Sequence, residues 1–114
     1  MIPEVTVIEL AKKLKSQDQF VLLDVRELPE LAYAKITDSR LEVLPVSRLA
    51  HRGVSALPES AKSLDAEIYV LCHHGNRSSD VTSWLIAQGW TNVFNVSGGI
   101  NAYAREIDKT VGFY

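Results

Sequence analysis

The sequence predicts an α/β domain of three layers, a central and mainly parallel sheet of about five strands flanked by helices. Apolar runs and amphipathic segments alternate along the chain, which is the pattern of strand–helix units. The two strongest runs, residues 20–25 (FVLLDV) and 67–72 (EIYVLC), lack polar alternation, as expected of strands covered on both faces. With 114 residues, 46% of them apolar, the chain is long enough for one domain with a real core.

The elements follow in order. Thr6 and Glu9 have the spacing of a capping box, so a helix over residues 7–16 is expected. Ile8, Ala11 and Leu14 recur there at helical spacing, with at most a short strand around Glu4-Val5 before them. After the run at 20–25, residues 27–34 read as a short helix, with Pro29 tolerable only in its first turn. Residues 43–46 (VLPV) read as a second extended run, placed at a sheet edge by Pro45. Residues 47–64 are polar and irregular, with room for one or two helical turns. The strand at 67–72 comes next, then a helix over 77–88 with Gly89 at its left-handed C-terminal position. Residues 92–96 form another strand, Ser97-Gly98-Gly99 a turn, and residues 100–107 a last helix. Gly98-Gly99 reads as a structural turn rather than a phosphate loop, and Trp84 as core. A single domain over 1–114 is expected, with a core at about 4–108 and a loose tail at 109–114.

Charge and cysteine content narrow the function. Lys and Arg number 12 and Asp and Glu 14, so no basic footprint for nucleic acid or an anionic membrane exists. The lone cysteine, Cys72, can form neither an internal disulfide nor a Cys-rich zinc site. No basic, then apolar leader opens the sequence, and no apolar stretch is long enough to span a membrane, so a cytoplasmic location is expected.

The chemistry concentrates in Cys72-His73-His74-Gly75-Asn76-Arg77-Ser78, between the end of a buried strand and the start of a helix. Ligands bind at the carboxyl ends of strands in open α/β sheets. Gly75 lets the backbone curl so that successive amides face one centre. The helix N-terminus adds partial positive charge and Arg77 a full charge on a planar donor fork. Such surroundings favour the thiolate, the form of cysteine that attacks. A buried, inert cysteine at a strand end is the competing reading of Cys72 alone. His73 and His74 beside Cys72 suggest a metal, but three consecutive residues rarely converge on one ion, so no metal is expected.

The loop resembles the active-site loop of rhodanese-like domains, the single-domain sulfurtransferases. The resemblance extends to Leu22-Leu23-Asp24-Val25-Arg26-Glu27 with Glu30, and to Trp84-Leu85-Ile86-Ala87-Gln88-Gly89-Trp90. It continues through Val93-Phe94-Asn95-Val96-Ser97-Gly98-Gly99-Ile100-Asn101-Ala102-Tyr103, so that it covers most of residues 4–108. One stretch departs from the family pattern Gly-His-Ile-x-Gly-Ala: residues 34–39 read AKITDS, with Lys35 and Asp38 at the His and Gly positions. The resemblance implies a rhodanese-like fold and a sulfurtransferase without a cofactor. Cys72 is the expected nucleophile. His73, His74, Gly75, Asn76 and Arg77 are expected to hold a small anionic sulfur donor, and a thiol or cyanide to accept the sulfur. Asp24, Arg26, Glu30 and Ser78 are expected to support the loop, with surface ion pairing as the alternative for the first three. Two other functions remain open at this point. A Cys-loop-Arg phosphatase would need a loop one residue longer than the four residues between Cys72 and Arg77. A sulfur-carrying sensor or scaffold on the same fold would look the same.

Overall fold

The computed structural model describes residues 2–114. Strand β1 (Glu4–Val5) is followed by helix α1 (Val7–Lys15), whose capping box forms: the Glu9 amide donates to Thr6 Oγ1 at 3.1 Å and the Thr6 amide to Glu9 Oε1 at 3.0 Å. Strand β2 (Val21–Asp24), a 3-10 helix (Leu28–Ala32), strand β3 (Leu41–Val43) and helix α2 (Val46–Arg52) come next. The chain closes with β4 (Ile68–Leu71), α3 (Asn76–Ala87), β5 (Val93–Val96) and α4 (Gly99–Glu106). The five strands form one sheet in the order β1-β5-β4-β2-β3, and every pairing is parallel.

The two central runs feed two cores. On β2 and β4, Val21, Leu23, Ile68 and Val70 join the cluster that holds Leu49 of α2 and Val81 and Leu85 of α3. The alternate residues Leu22, Tyr69 and Leu71 join the cluster that holds Leu10 of α1 and Ile100 and Tyr103 of α4. The period of two in a strand sends successive side chains to opposite faces, so an unbroken apolar run fills both layers.

Three expectations need correction. The extended run expected at 43–46 ends three residues early on the sheet edge: β3 stops at Val43, and Pro45 is the N-cap of α2, where its fixed φ and missing N–H are no loss. The helix expected over 27–34 is a 3-10 helix of five residues. The tail expected to be loose is fastened. Asp108 caps a 3-10 turn (Lys109–Val111) by accepting from the Thr110 amide at 3.0 Å, and the Lys35 amide donates to the Val111 carbonyl at 2.9 Å. Among the described residues, no helix is long and apolar enough to cross a membrane.

Candidate active site

The connection after β2 runs outward to β3, whereas the one after β4 runs the other way to β5. The carboxyl ends of β2 and β4 therefore flank the switch point of the sheet, where open α/β sheets carry their crevice. Asp24 ends β2, with Val25 and Arg26 just beyond it, and Cys72 follows the last residue of β4.

Cys72 continues the β4 alternation toward the α3 face and is 1% exposed. Its Sγ accepts from the Gly75 amide at 3.2 Å and the Ser78 amide at 3.3 Å. Two main-chain donors and the N-terminus of α3 thus converge on the sulfur, an arrangement that stabilises negative charge there. Ser78 Oγ lies 3.2 Å from Sγ. Asn95 settles which way that hydroxyl points. Its Nδ2 donates to Glu4 Oε2 at 2.9 Å and to the Gly75 carbonyl at 3.4 Å, so its Oδ1 is the acceptor for Ser78 Oγ at 2.5 Å. The single hydroxyl proton of Ser78 is spent on Asn95, which leaves the oxygen facing Sγ as an acceptor.

The loop rests on α4. The amides of Ile100 and Asn101 donate to the carbonyls of Cys72 and His73 at 2.9 and 3.0 Å. Gly99 makes this approach possible, because a Cβ there would stand 2.5 Å from both carbonyl oxygens. Gly98-Gly99 is therefore a structural turn, and what it structures is the floor of the Cys72 loop.

Two arginine–carboxylate pairs complete the surroundings. Arg26 donates from Nη2 to Asp24 Oδ2 at 2.7 Å and from Nε to Oδ1 at 3.0 Å, with both side chains 0% exposed. Arg77 donates both terminal nitrogens to Glu30, at 2.7 and 2.9 Å, with side-chain exposures of 36% and 22%. The Arg77 guanidinium holds the Glu30 carboxyl down at about 2, and Glu30 in turn raises Arg77 above its ordinary value. Both terminal nitrogens of the Arg77 fork, expected to hold an anion, thus meet the Glu30 carboxylate. His73 sits beneath Tyr114, and burial, then His74 beside it, pushes its imidazole below the ordinary value. His74 and Asn76 are exposed.

Asp38 lies elsewhere. It pairs with Arg40 at 2.8 Å, and Arg40 also donates to the carbonyls of Leu14, Ser16 and Asp18. This clamp holds the C-terminus of α1 at the amino end of the sheet, away from the Cys72 end. Lys35 is exposed and meets the tail through its main chain. Glu4, Asn95 and Tyr114 escaped the sequence reading. Only the position of Asn95 inside an apolar strand, at 93–96, signalled a buried polar group in need of partners.

Comparison with known proteins decides the family. A family model for the rhodanese-like domain matches residues 6–106. The chain is a rhodanese-like domain. It is similar to the thiosulfate sulfurtransferase GlpE of Pseudomonas putida, with 32% identity over 83% of this chain and 79% of the relative. It is also 31% identical, over 99% of its length, to the chloroplastic rhodanese-like/PpiC domain-containing protein 12 of Arabidopsis thaliana, of which it spans only 38%. Among solved structures, the rhodanese-like domain protein of Staphylococcus aureus superposes with a TM-score of 0.73 at 26% identity, covering 90% of this chain and 91% of that one. The rhodanese-like fold accounts for the strand order and for the placement of the Cys72 loop at the switch point.

Proposed function

We propose that this rhodanese-like domain is a sulfurtransferase that carries sulfane sulfur on Cys72. The observation behind the reading is the pair of amides on Cys72 Sγ inside a strand-to-helix loop of this family. In the first step the Cys72 thiolate attacks the outer sulfur of thiosulfate or of a persulfide. A new S–S bond forms, the old one breaks, and sulfite or a thiolate departs with the bonding electron pair. In the second step a thiolate or cyanide attacks the outer sulfur of the Cys72 persulfide and releases the Cys72 thiolate. Electrons and atoms balance without a cofactor. Loop amides between residues 73 and 78 and the α3 N-terminus stabilise the anionic donor and the terminal sulfur. Arg77 contributes charge and, through Glu30, holds the loop in place.

Intact mass tests the reading. Incubation with thiosulfate adds one sulfur, a reducing thiol removes it, and Cys72→Ser abolishes the gain. A sulfur adduct that persists in Cys72→Ser, or phosphate-ester hydrolysis without sulfur uptake, would overturn it.

A further inference from the structure

The end of the described chain, residues 112–114, crosses the Cys72 loop from outside. Its seat is built for it. Gly112 has φ +106°, and a Cβ there would lie 2.2 Å from the Tyr33 carbonyl oxygen. No other residue follows this path without displacing the strap. Beyond Gly112, Tyr114 reaches both ends of the loop. Its ring stacks on His73, centroids 3.7 Å apart and planes 6° apart, and its main-chain oxygen meets His73 Nε2 at 2.9 Å. Its hydroxyl donates to Glu30 Oε1 at 2.9 Å and accepts from Arg26 Nη1 at 3.2 Å. Glu30 is the partner of Arg77, so Tyr114 joins the first residue after Cys72 to the carboxylate that holds the last residue before Ser78.

Glu30, Arg26 and His73 each have a further partner besides Tyr114. Glu30 keeps both Arg77 bonds and the Glu27 amide, and Arg26 keeps its fork on Asp24. His73 keeps its ring contact with His74. The strap can leave without dismantling the loop, and Tyr114, 37% exposed, has a solvent side to leave toward. These are the properties of a gate rather than a brace.

We propose that Tyr114 is a specificity-determining residue. The strap of residues 112–114 narrows access to Cys72, so that small anions and small thiols reach it directly while a bulky thiol partner, such as a protein dithiol, reaches it only when the strap is displaced. The inference deepens the reading of Cys72 as a sulfur carrier and rests on it. Its test does not require sulfur transfer.

Cys72 is the one cysteine of the chain, so thiol labelling reports on it alone. The full protein is labelled with N-methylmaleimide and with a polyethylene-glycol maleimide, which share one reactive group and differ in size. A strap open about a tenth of the time slows the large reagent about tenfold. Tyr114→Ala, Gly112→Ala and deletion of residues 112–114 should therefore each speed the large reagent about tenfold and leave the small one within about twofold. Tyr114→Phe keeps the stack, loses both hydroxyl bonds and should fall between. With thiosulfate as donor, the same variants should raise kcat/KM for reduced thioredoxin and not for cyanide. Reagents that speed up or slow down together, or an unchanged size ratio in all variants, would overturn the gate. If the unaltered protein takes up no sulfur, the functional reading fails while the size ratio still decides the strap.

Discussion

Two arginine–carboxylate pairs stand within one site and differ in nearly everything but chemistry. Asp24 and Arg26 are two residues apart and fully buried. Glu30 and Arg77 are distant in sequence, lie at the rim and keep part of their surface in water. The inner pair anchors the end of β2, where the Arg26 amide also donates to Asp24 at 3.2 Å. The outer pair ties the 3-10 helix to the start of α3 and leaves its charges within reach of a ligand. Burial makes the first pair costly to break, because a lone charge left there has no water to turn to. Partial exposure makes the second a weaker fold contact and a better functional one.

That contrast can be broken most directly at the inner pair. Arg26→Ala leaves Asp24 charged and buried, and should cost about 3–5 kcal/mol in urea unfolding. The double variant Asp24→Leu/Arg26→Met should cost less than Arg26→Ala, since an apolar pair leaves no orphaned charge. A loss below about 1 kcal/mol for Arg26→Ala would place the inner pair with ordinary surface pairs.

The outer pair should show the opposite balance. Arg77→Ala should slow sulfur uptake from thiosulfate by about ten- to a hundredfold, the worth of a charge-assisted contact. Its stability change should stay within about 1 kcal/mol. Arg77→Lys should recover only part of the rate, because a point charge does not reproduce two parallel bonds to one carboxylate. Equal losses of stability at Arg26 and Arg77 would erase the distinction.

The smallest effect is acidic. Because Arg77 depresses the Glu30 carboxyl to about 2, the folded protein holds the ionised form more tightly than the unfolded chain does. The resulting stability is fully present above the ordinary carboxylate range and is lost as pH falls through it toward about 2. Melting curves at falling pH should therefore decline less steeply for Glu30→Gln than for the unaltered protein. Parallel declines would show that the rim pair adds nothing in acid.

Residues of the site differed in how openly the sequence announced them. Cys72, Gly75 and the start of α3 are contiguous, and a strand, a glycine and a helix start in a row imply converging amides without further information. Asp24, Arg26, Glu30 and Ser78 were legible as polar residues near that loop, and ion pairing among the first three was expected, but Arg77 as the partner of Glu30 and Asn95 as the partner of Ser78 were not. Pairing Glu30 with Arg77 requires β2 and β4 to be neighbours, and pairing Ser78 with Asn95 requires α3 to cross β5. The tail misled for a related reason. Residues 108–114 carry no periodic apolar pattern, and their anchors are a left-handed glycine against Tyr33 and a tyrosine between His73 and Glu30.

The sequence by itself determined the layers, the run of strands and helices, and the loop that holds the thiol. These follow from interactions between near neighbours: a capping box, an apolar period, a glycine before a helix. Tertiary structure decided the direction of the Ser78 proton, the partner of Arg77 and the place of Tyr114. Each depends on side chains brought together by the parallel sheet from segments 17 to 84 residues apart. Local preference carries no information across such distances. Only burial, which forces every polar group to find a partner, selects the pairing.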